Sequence, residues 1–386
     1  MKYLTLETFA DFICAGSECP FTCCQDWRIT IDEETDRFYQ NVKGEMGERL
    51  KNCIHRENGD AWFVLREEDS RCPFLNEKGL CSIYINLGEE HLSNTCTYYP
   101  RYMFYEGDIC FAGVSISCPE VSRFFMTHEE PLLIDFGETD DDTNVEKNID
   151  WKLFNYAIRT FTTAVSIAQN RDLSVKERIA LVILLISGFQ TNVDECCDPS
   201  SAISLYSNPD YYNAILDQAK INTCNLESKV SFVSSIISFF KNTKNLDAKL
   251  PELSKVIEYF DNPENASVDP LVWKKSFALS ISSDNEIWIE NVLVYVLFRY
   301  YMRGLSEKDF YEKLMTGIGP VLIMSICITA LYNVIYDRTP DRDYIVMLVT
   351  RFSRIVEHDS VVGEMVIEHF RKNGLTDPGF VLRLIS

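Results

Sequence analysis

Apolar and polar positions divide the chain into two styles. Beyond about residue 150 apolar residues recur at helical spacing, as in Phe232, Val233, Ile236, Ile237 and Phe240, which share one face of a 3.6-residue repeat. Ser174 followed by Glu177 reads as a capping box ahead of the run Ile179 to Ile186, with Gly188 as the expected stop. Ser306 with Asp309 reads as a weaker start of the same kind. Segments near 151–170, 210–220, 288–302, 306–316, 320–336 and 341–357 also read as helices. Before residue 130 the apolar runs are short and broken by turn residues, as in CPFLNEKGLCSIY and YPRYMFYEGDICFAG, where Asn76, Gly79 and Gly107 are expected in turns. The expected fold is mainly α, with a small loop-rich, cysteine-rich α+β metal-binding domain over residues 1–130 and a helical domain over 151–386. Between them 131–150 reads as a solvated acidic linker, carrying Pro131, Gly137 and the run Asp140-Asp141-Asp142.

Composition narrows the function classes. A hydrophobic share of 46% over 386 residues supports substantial cores in more than one domain. A formal charge of -21 disfavours nucleic acid, whose phosphates want concentrated Lys and Arg, and suits a basic or neutral protein partner. Glu7 and Asp11 interrupt the apolar core that a secretory signal would need, so a cytoplasmic location is expected. Gly317 to Tyr336 approaches membrane-spanning length, but Gly319-Pro320, Ser325, Thr329 and Asn333 make it a buried soluble helix, with no membrane partner.

Fourteen cysteines without an export signal point to metal or redox chemistry, because the cytosol keeps thiols reduced. Ten lie at or before Cys118, and only Cys196, Cys197, Cys224 and Cys327 follow it. The densest stretch, FICAGSECPFTCCQDWRITID, holds Cys14, Cys19, Cys23 and Cys24; Cys72-Pro73, Cys81, Cys96 and Cys118-Pro119 come later. A structural zinc usually draws on pairs spaced C-x2-C, and none occurs. Neighbouring side chains of an extended backbone point to opposite faces, so Cys23-Cys24 suits an iron-sulfur cluster or two nearby centres better than one small ion. Standard ferredoxin spacing is absent, which leaves zinc and plain buried thiols as the alternatives. Cys53 and Cys110 stand alone and read as packing residues, Cys14 as the end of a buried segment after Phe12-Ile13, and Cys196-Cys197 as an inert pair beside a helix end. His55, His91, His128, His358 and His369 form no metal-binding spacing; His91, between Cys81 and Cys96, comes nearest to an exception.

The order CxxxxCxxxCCxxWxIxID, then CPFL, GLCSIY and C-x-x-YPR, resembles the flagellin lysine-N-methylase family over roughly residues 8–125. Its cysteine-rich part is shared with a broader group of zinc- or iron-chelating proteins. The resemblance implies transfer of methyl groups from S-adenosylmethionine to lysine ε-amines of flagellin. By motif position it implicates Cys19, Cys23, Cys24, Cys72, Cys81, Cys96 and Cys118 as the metal set. Such a reaction needs a neutral amine and benefits from aromatic faces that attract the sulfonium. Tyr98, Tyr99 and Tyr102, with Arg101 and Tyr105, are the candidates for that lining, and the alternative is that they pack around the metal. Asp26 is expected to cap a turn or pair with Arg28 before it serves as a base, and Trp27 beside it reads as packing. No glycine-rich nucleotide loop is present, since Gly317 to Gly319 runs straight into Pro320. The donor is therefore expected at the junction of the two domains. The competing function is a non-enzymatic iron- or zinc-binding redox or adaptor module.

Overall fold

Three stretches far apart in the chain build the main sheet. The computed structural model describes residues 2–19, 21–106, 109–138, 150–220, 226–243, 250–262, 270–282, 285–358, 360–374 and 377–385; Gly107, Asp140 to Asp142 and Cys224 lie outside them. Strand β1 (Lys2–Leu6) lies between β6 (Ile109–Val114), which it pairs in parallel, and β7 (Ile134–Glu138), which it pairs antiparallel. Strand β5 (Arg101–Glu106) completes the order β5-β6-β1-β7. All six residues of β6 are buried, so the strand is covered on both faces. Helices do the covering: Phe111 meets Phe298 with ring centroids 6.4 Å apart, and Phe125 meets Tyr295 at 5.5 Å.

Short strands β2 (Thr30–Ile31), β3 (Ile54–Glu57) and β4 (Asp60–Phe63) form a second sheet, in the order β2-β4-β3. They accompany α1 (Thr8–Asp11), α2 (Glu33–Asn41), α3 (Gly44–Cys53), α4 (Ser82–Leu87), α5 (Asn94–Tyr98) and α6 (Pro119–Thr127). The rest is helical: α7 (Trp151–Ala168), α8 (Val175–Asp194), α9 (Ser200–Leu205), α10 (Pro209–Lys220), α11 (Leu226–Asn242), α12 (Pro251–Asp261) and α13 (Pro270–Ser280). Then follow α14 (Glu286–Tyr300), α15 (Gly304–Glu307), α16 (Phe310–Gly317), α17 (Met324–Tyr336), α18 (Arg342–His358), α19 (Ser360–Lys372) and α20 (Pro378–Ile385).

Packing gathers the buried side chains into two clusters. Leu4, Leu6, Phe111, Val114, Val121 and Phe125 share one core with the helices after 150. A separate small core joins Trp27, Ile29, Ile31, Tyr39, Leu50, Ile54, Phe63, Phe74 and Ile83. The cysteine-rich unit is thus an insertion between β1 and β5, and β7 takes up part of the expected linker.

Two expected helix boundaries shift. Helix α8 starts on the expected capping box, with Ser174 and Glu177 satisfying each other's backbone, but it runs through Gly188 to Asp194. Phe189 continues its buried face, so burial outweighs the roughly 1 kcal/mol that a helical glycine costs. Asp309, not Ser306, caps α16, accepting from the Glu312 amide at 3.2 Å, while Ser306 donates to the Glu106 carboxylate. The apolar stretch from Gly317 continues as a π turn over Ile318–Ile323 into α17. No helix among the described residues is long and apolar enough to cross a membrane.

Candidate functional site: thiol sets, a buried junction and an acidic cavity

The cysteine unit folds its thiols together through backbone pairing. The Cys72 amide donates to the Cys24 carbonyl at 2.7 Å, and Leu75 bridges to Cys81, which starts α4. Ser93 caps α5 and accepts from the Cys96 amide at 3.4 Å. As a result Cys24, Cys72, Cys81 and Cys96 all lie within electrostatic reach of one another. Burial pushes the Cys96 thiol up to about 12 and Cys72 and Cys81 upward as well. The adjacent Cys24 thiol, followed by burial, raises Cys23, while the same neighbour lowers Cys24 to about 7, so that Cys24 is the readiest thiolate of the set.

The other implicated cysteines go elsewhere. Cys19 and Cys118 sit within reach of each other and of Cys14, forming a second set. The seven implied cysteines thus fall into two neighbouring groups, with Cys23 of one and Cys118 of the other both beside Tyr99. Cys14 is exposed, not the end of a buried segment, because α1 stops at Asp11 and extended backbone at Phe12 carries Ile13 outward to 85% exposure. Cys53 and Cys110 pack as expected, and Cys196-Cys197 follows the end of α8, exposed, with Cys196 at φ 55°. His91 stacks on Phe38, centroids 3.9 Å apart. Among the described residues no three His, Cys, Asp or Glu converge as one bound ion requires.

Helix α18 clamps the cysteine unit onto the main core. Arg354 donates to the carbonyls of Thr22 at 2.9 Å, Gln25 at 3.3 Å and Ser117 at 3.0 Å, with its guanidinium 4.0 Å above the Phe21 ring. Beside it Glu357 is fully buried, accepting from Ser115 at 2.6 Å, Tyr295 at 2.7 Å and Tyr300 at 3.1 Å, with Arg299 at 2.9 Å. Burial alone would raise this carboxyl, but Arg299 holds it below the usual range. His358 Nε2 lies 2.9 Å from the Ser117 hydroxyl, which also contacts Tyr99 at 3.0 Å. Burial lowers the His358 ring to about 4, against the pull of Glu357, so it is neutral near pH 7.

The three candidate tyrosines part company here. Tyr99 packs against both Trp27 and His358, which touch each other with ring centroids 4.5 Å apart, and Tyr102 lies 3.9 Å under the Arg299 guanidinium with its hydroxyl unbonded. Tyr98 is half exposed, since neighbours on α5 and in the turn after it cannot share one face. Trp27 is core, as expected, donating to the Cys23 carbonyl at 2.5 Å. Asp26 sits in a turn at φ 68°, and Arg28 stacks on Trp62, 3.4 Å from the ring centre.

No spacing signal marks Ser115 and Ser117 or Glu357 and His358, two pairs some 240 positions apart that meet only through the fold. A cavity of about 500 Å³ opens nearby, lined by Glu7, Thr8, Phe12, Val114, Glu120 and His128 among others. Val114 lines it while the next residue, Ser115, bonds Glu357, so cavity and junction meet at the end of β6.

The family model described as FliB lysine N-methylase C-terminal domain matches residues 162–384, the helical half, beyond the stretch whose motifs carry the resemblance. A flagellar biosynthetic protein FliU from Salmonella muenchen is 31% identical over 143 residues, covering 35% of this chain and 84% of that protein. A lysine-N-methylase from Salmonella choleraesuis strain SC-B67 is 28% identical over 143 residues, covering 35% of each chain. Another from Salmonella typhimurium strain LT2 is 28% identical over 129 residues, covering 32% of each. These alignments thus span about a third of the two lysine-N-methylases' length. No solved structure matches. With its family model covering more than half of the residues, the chain belongs to the FliB lysine N-methylase family.

Proposed function

We propose that the chain is a protein lysine N-methyltransferase that takes methyl groups from S-adenosylmethionine and places them on lysine ε-amines of flagellin. Membership of the lysine N-methylase family carries this reading, and the relatives' names supply the flagellar context. On this reading the donor would bind near the junction of the cysteine unit with α14 and α18. Tyr99 and Tyr102 shape that junction through Trp27, His358 and Arg299, and Tyr98 stands outside it.

The resident metal is proposed to be an iron-sulfur cluster on Cys24, Cys72, Cys81 and Cys96. Their chemistry fits, since four soft sulfurs sit in mutual reach beside the Arg354 charge. A single zinc would draw its sulfurs to about 3.8 Å of one another, given Zn–S bonds of about 2.3 Å, whereas a cluster seats each thiolate on its own iron. When bound, the cluster supplies a one-electron redox centre. Cys24 is the thiol poised to ionise, and Tyr39, fully buried against the set and bonded to the His91 carbonyl at 2.7 Å, helps exclude water.

The test is anaerobically purified protein with tritiated S-adenosylmethionine and purified flagellin. Label is expected on flagellin lysines, located by peptide mass. Iron-loaded protein that binds no donor and labels nothing would return the chain to the alternative of a metal-binding redox or adaptor module.

A further inference from the structure

The acidic cavity has the makings of a reaction chamber. It lies at the carboxyl ends of the parallel strands β1 and β6, a place where α/β sheets commonly bind ligands. Its volume of about 500 Å³ suits a small ligand. The lining includes two carboxylates, Glu7 and Glu120, and two aromatic rings, Phe12 and Phe124; Arg101, 5.3 Å from the Phe12 ring, and Arg123, within reach of Glu120, flank it without lining it. That combination attracts ammonium and sulfonium cations.

Three polar atoms there are shut off from solvent without a hydrogen bond: Glu7 Oε1, Thr8 Oγ1 and His128 Nε2. Thr8 is 8% exposed. Glu7 Oε1 stands 2.9 Å from His128 Nε2, but the pair is not aligned as a hydrogen bond, leaving both atoms able to take a third group. Such atoms cost about 1–3 kcal/mol each when nothing completes them, and a polar group or water entering the cavity would complete them. The histidine is held firmly. Its ring stacks on Phe124 with centroids 4.6 Å apart, its amide donates to the Phe124 carbonyl at 2.8 Å, and its carbonyl accepts from buried Asn291 at 2.9 Å.

We infer that this cavity receives the acceptor lysine and that His128 is the base that takes its proton, with Glu7 stabilising the imidazolium. The inference rests on the methyltransferase reading. The lysine enters as an ammonium, whose pKa near 10.4 in water leaves too little free amine at pH 7. One N–H proton passes to His128 Nε2, freeing the nitrogen lone pair. That pair forms the N–C bond to the donor's methyl carbon while the C–S bond breaks and its electrons stay on sulfur. The sulfonium becomes a neutral thioether and the amine a methylated ammonium. The proton on His128 then leaves by way of Glu7, 2.9 Å away, whose side chain is 22% exposed to solvent.

The decisive experiment is single-turnover transfer from tritiated S-adenosylmethionine to flagellin by wild-type, His128→Ala, His128→Gln and Glu7→Gln proteins. Both His128 variants are expected to slow transfer at least about a hundredfold, and Glu7→Gln to a lesser degree. Calorimetric affinity for S-adenosylmethionine should stay within about twofold, and added imidazole should restore much of the His128→Ala rate, a recovery that a packing role would not allow. A folded His128 variant that transfers at the wild-type rate overturns the inference and leaves the methyltransferase reading intact. Loss without imidazole rescue, accompanied by weaker donor binding or a lower melt in both His128 variants, also overturns it. A wild-type protein that labels no lysine overturns the reading and the inference together.

Discussion

Arg354 shows how one residue ties two cores together. Its three carbonyl partners belong to the cysteine loop and to the turn before α6, and all are reached by one guanidinium that is 2% exposed. Arg354→Met keeps the apolar stem and removes those bonds, so stability should fall by about 1.5–3 kcal/mol, read as a lower urea midpoint. His358, at the same helix end, predicts a pH dependence. The unfolded ring titrates near 6.5, and the folded one is lowered to about 4. Between those values only the unfolded state binds the proton, so the full stability present above about pH 6.5 is lost progressively as pH falls toward 4, by about 3 kcal/mol. His358→Gln should flatten this stretch of the curve. The remaining loss at lower pH belongs partly to Glu357, whose lowered carboxyl contributes above its unfolded value and is lost as pH falls through the folded one.

Strands β5 and β6 place the junction tyrosines by close approach. Tyr102 is the cross-strand partner of Gly113, and a Cβ at 113 would meet its hydroxyl at 2.5 Å and its ring carbon at 2.6 Å. Gly113→Ala should push Tyr102 off Arg299 and destabilise the protein by about 1–3 kcal/mol, checked by thermal melting with Tyr102→Phe as a control that keeps the ring. That glycine sits inside YPRYMFYEGDICFAG, a stretch readable as short apolar runs but not as two paired strands with an aromatic lying over a glycine. Helices were the legible elements, because their periodicity and caps are local: the Ser174–Glu177 box starts α8 where expected. The sheet was not, since β1, β6 and β7 come from positions more than a hundred residues apart or divided by the cysteine insertion, and non-local pairing leaves no mark in a short window. The same limit applied to the site. Spacing grouped Cys19 with Cys23 and Cys24, yet chain direction after Phe21 sends Cys24 to Cys72 and leaves Cys19 with Cys118.

At the scale of the molecule, the two cores differ greatly in what holds them. The main core spans both sheet and helices and contains an entirely buried ion pair, Arg178 to Glu290 at 2.5 Å, bolstered by Arg171 at 2.9 Å. The small core, from Trp27 to Ile83, has few large side chains for the chain length that surrounds it, and units of that size usually need a metal or disulfide staple. Four thiols drawn from four separate segments are such a staple if iron binds them, because binding free energy to a site formed only on folding adds to folding. Removing iron with a chelator under anaerobic conditions should therefore split one unfolding transition into two. Hydrogen exchange should rise first in 27–96, while amides of β6 and α14 keep their protection. Ser substitutions at Cys24, Cys72, Cys81 or Cys96 should produce the same early transition and lose bound iron, whereas Cys19→Ser and Cys118→Ser should keep both iron and the single transition. If iron content instead follows Cys19 and Cys118, the cluster belongs to the second thiol set. If chelation leaves exchange in 27–96 unchanged, the small core stands on Arg354 and its own packing, and metal serves chemistry alone.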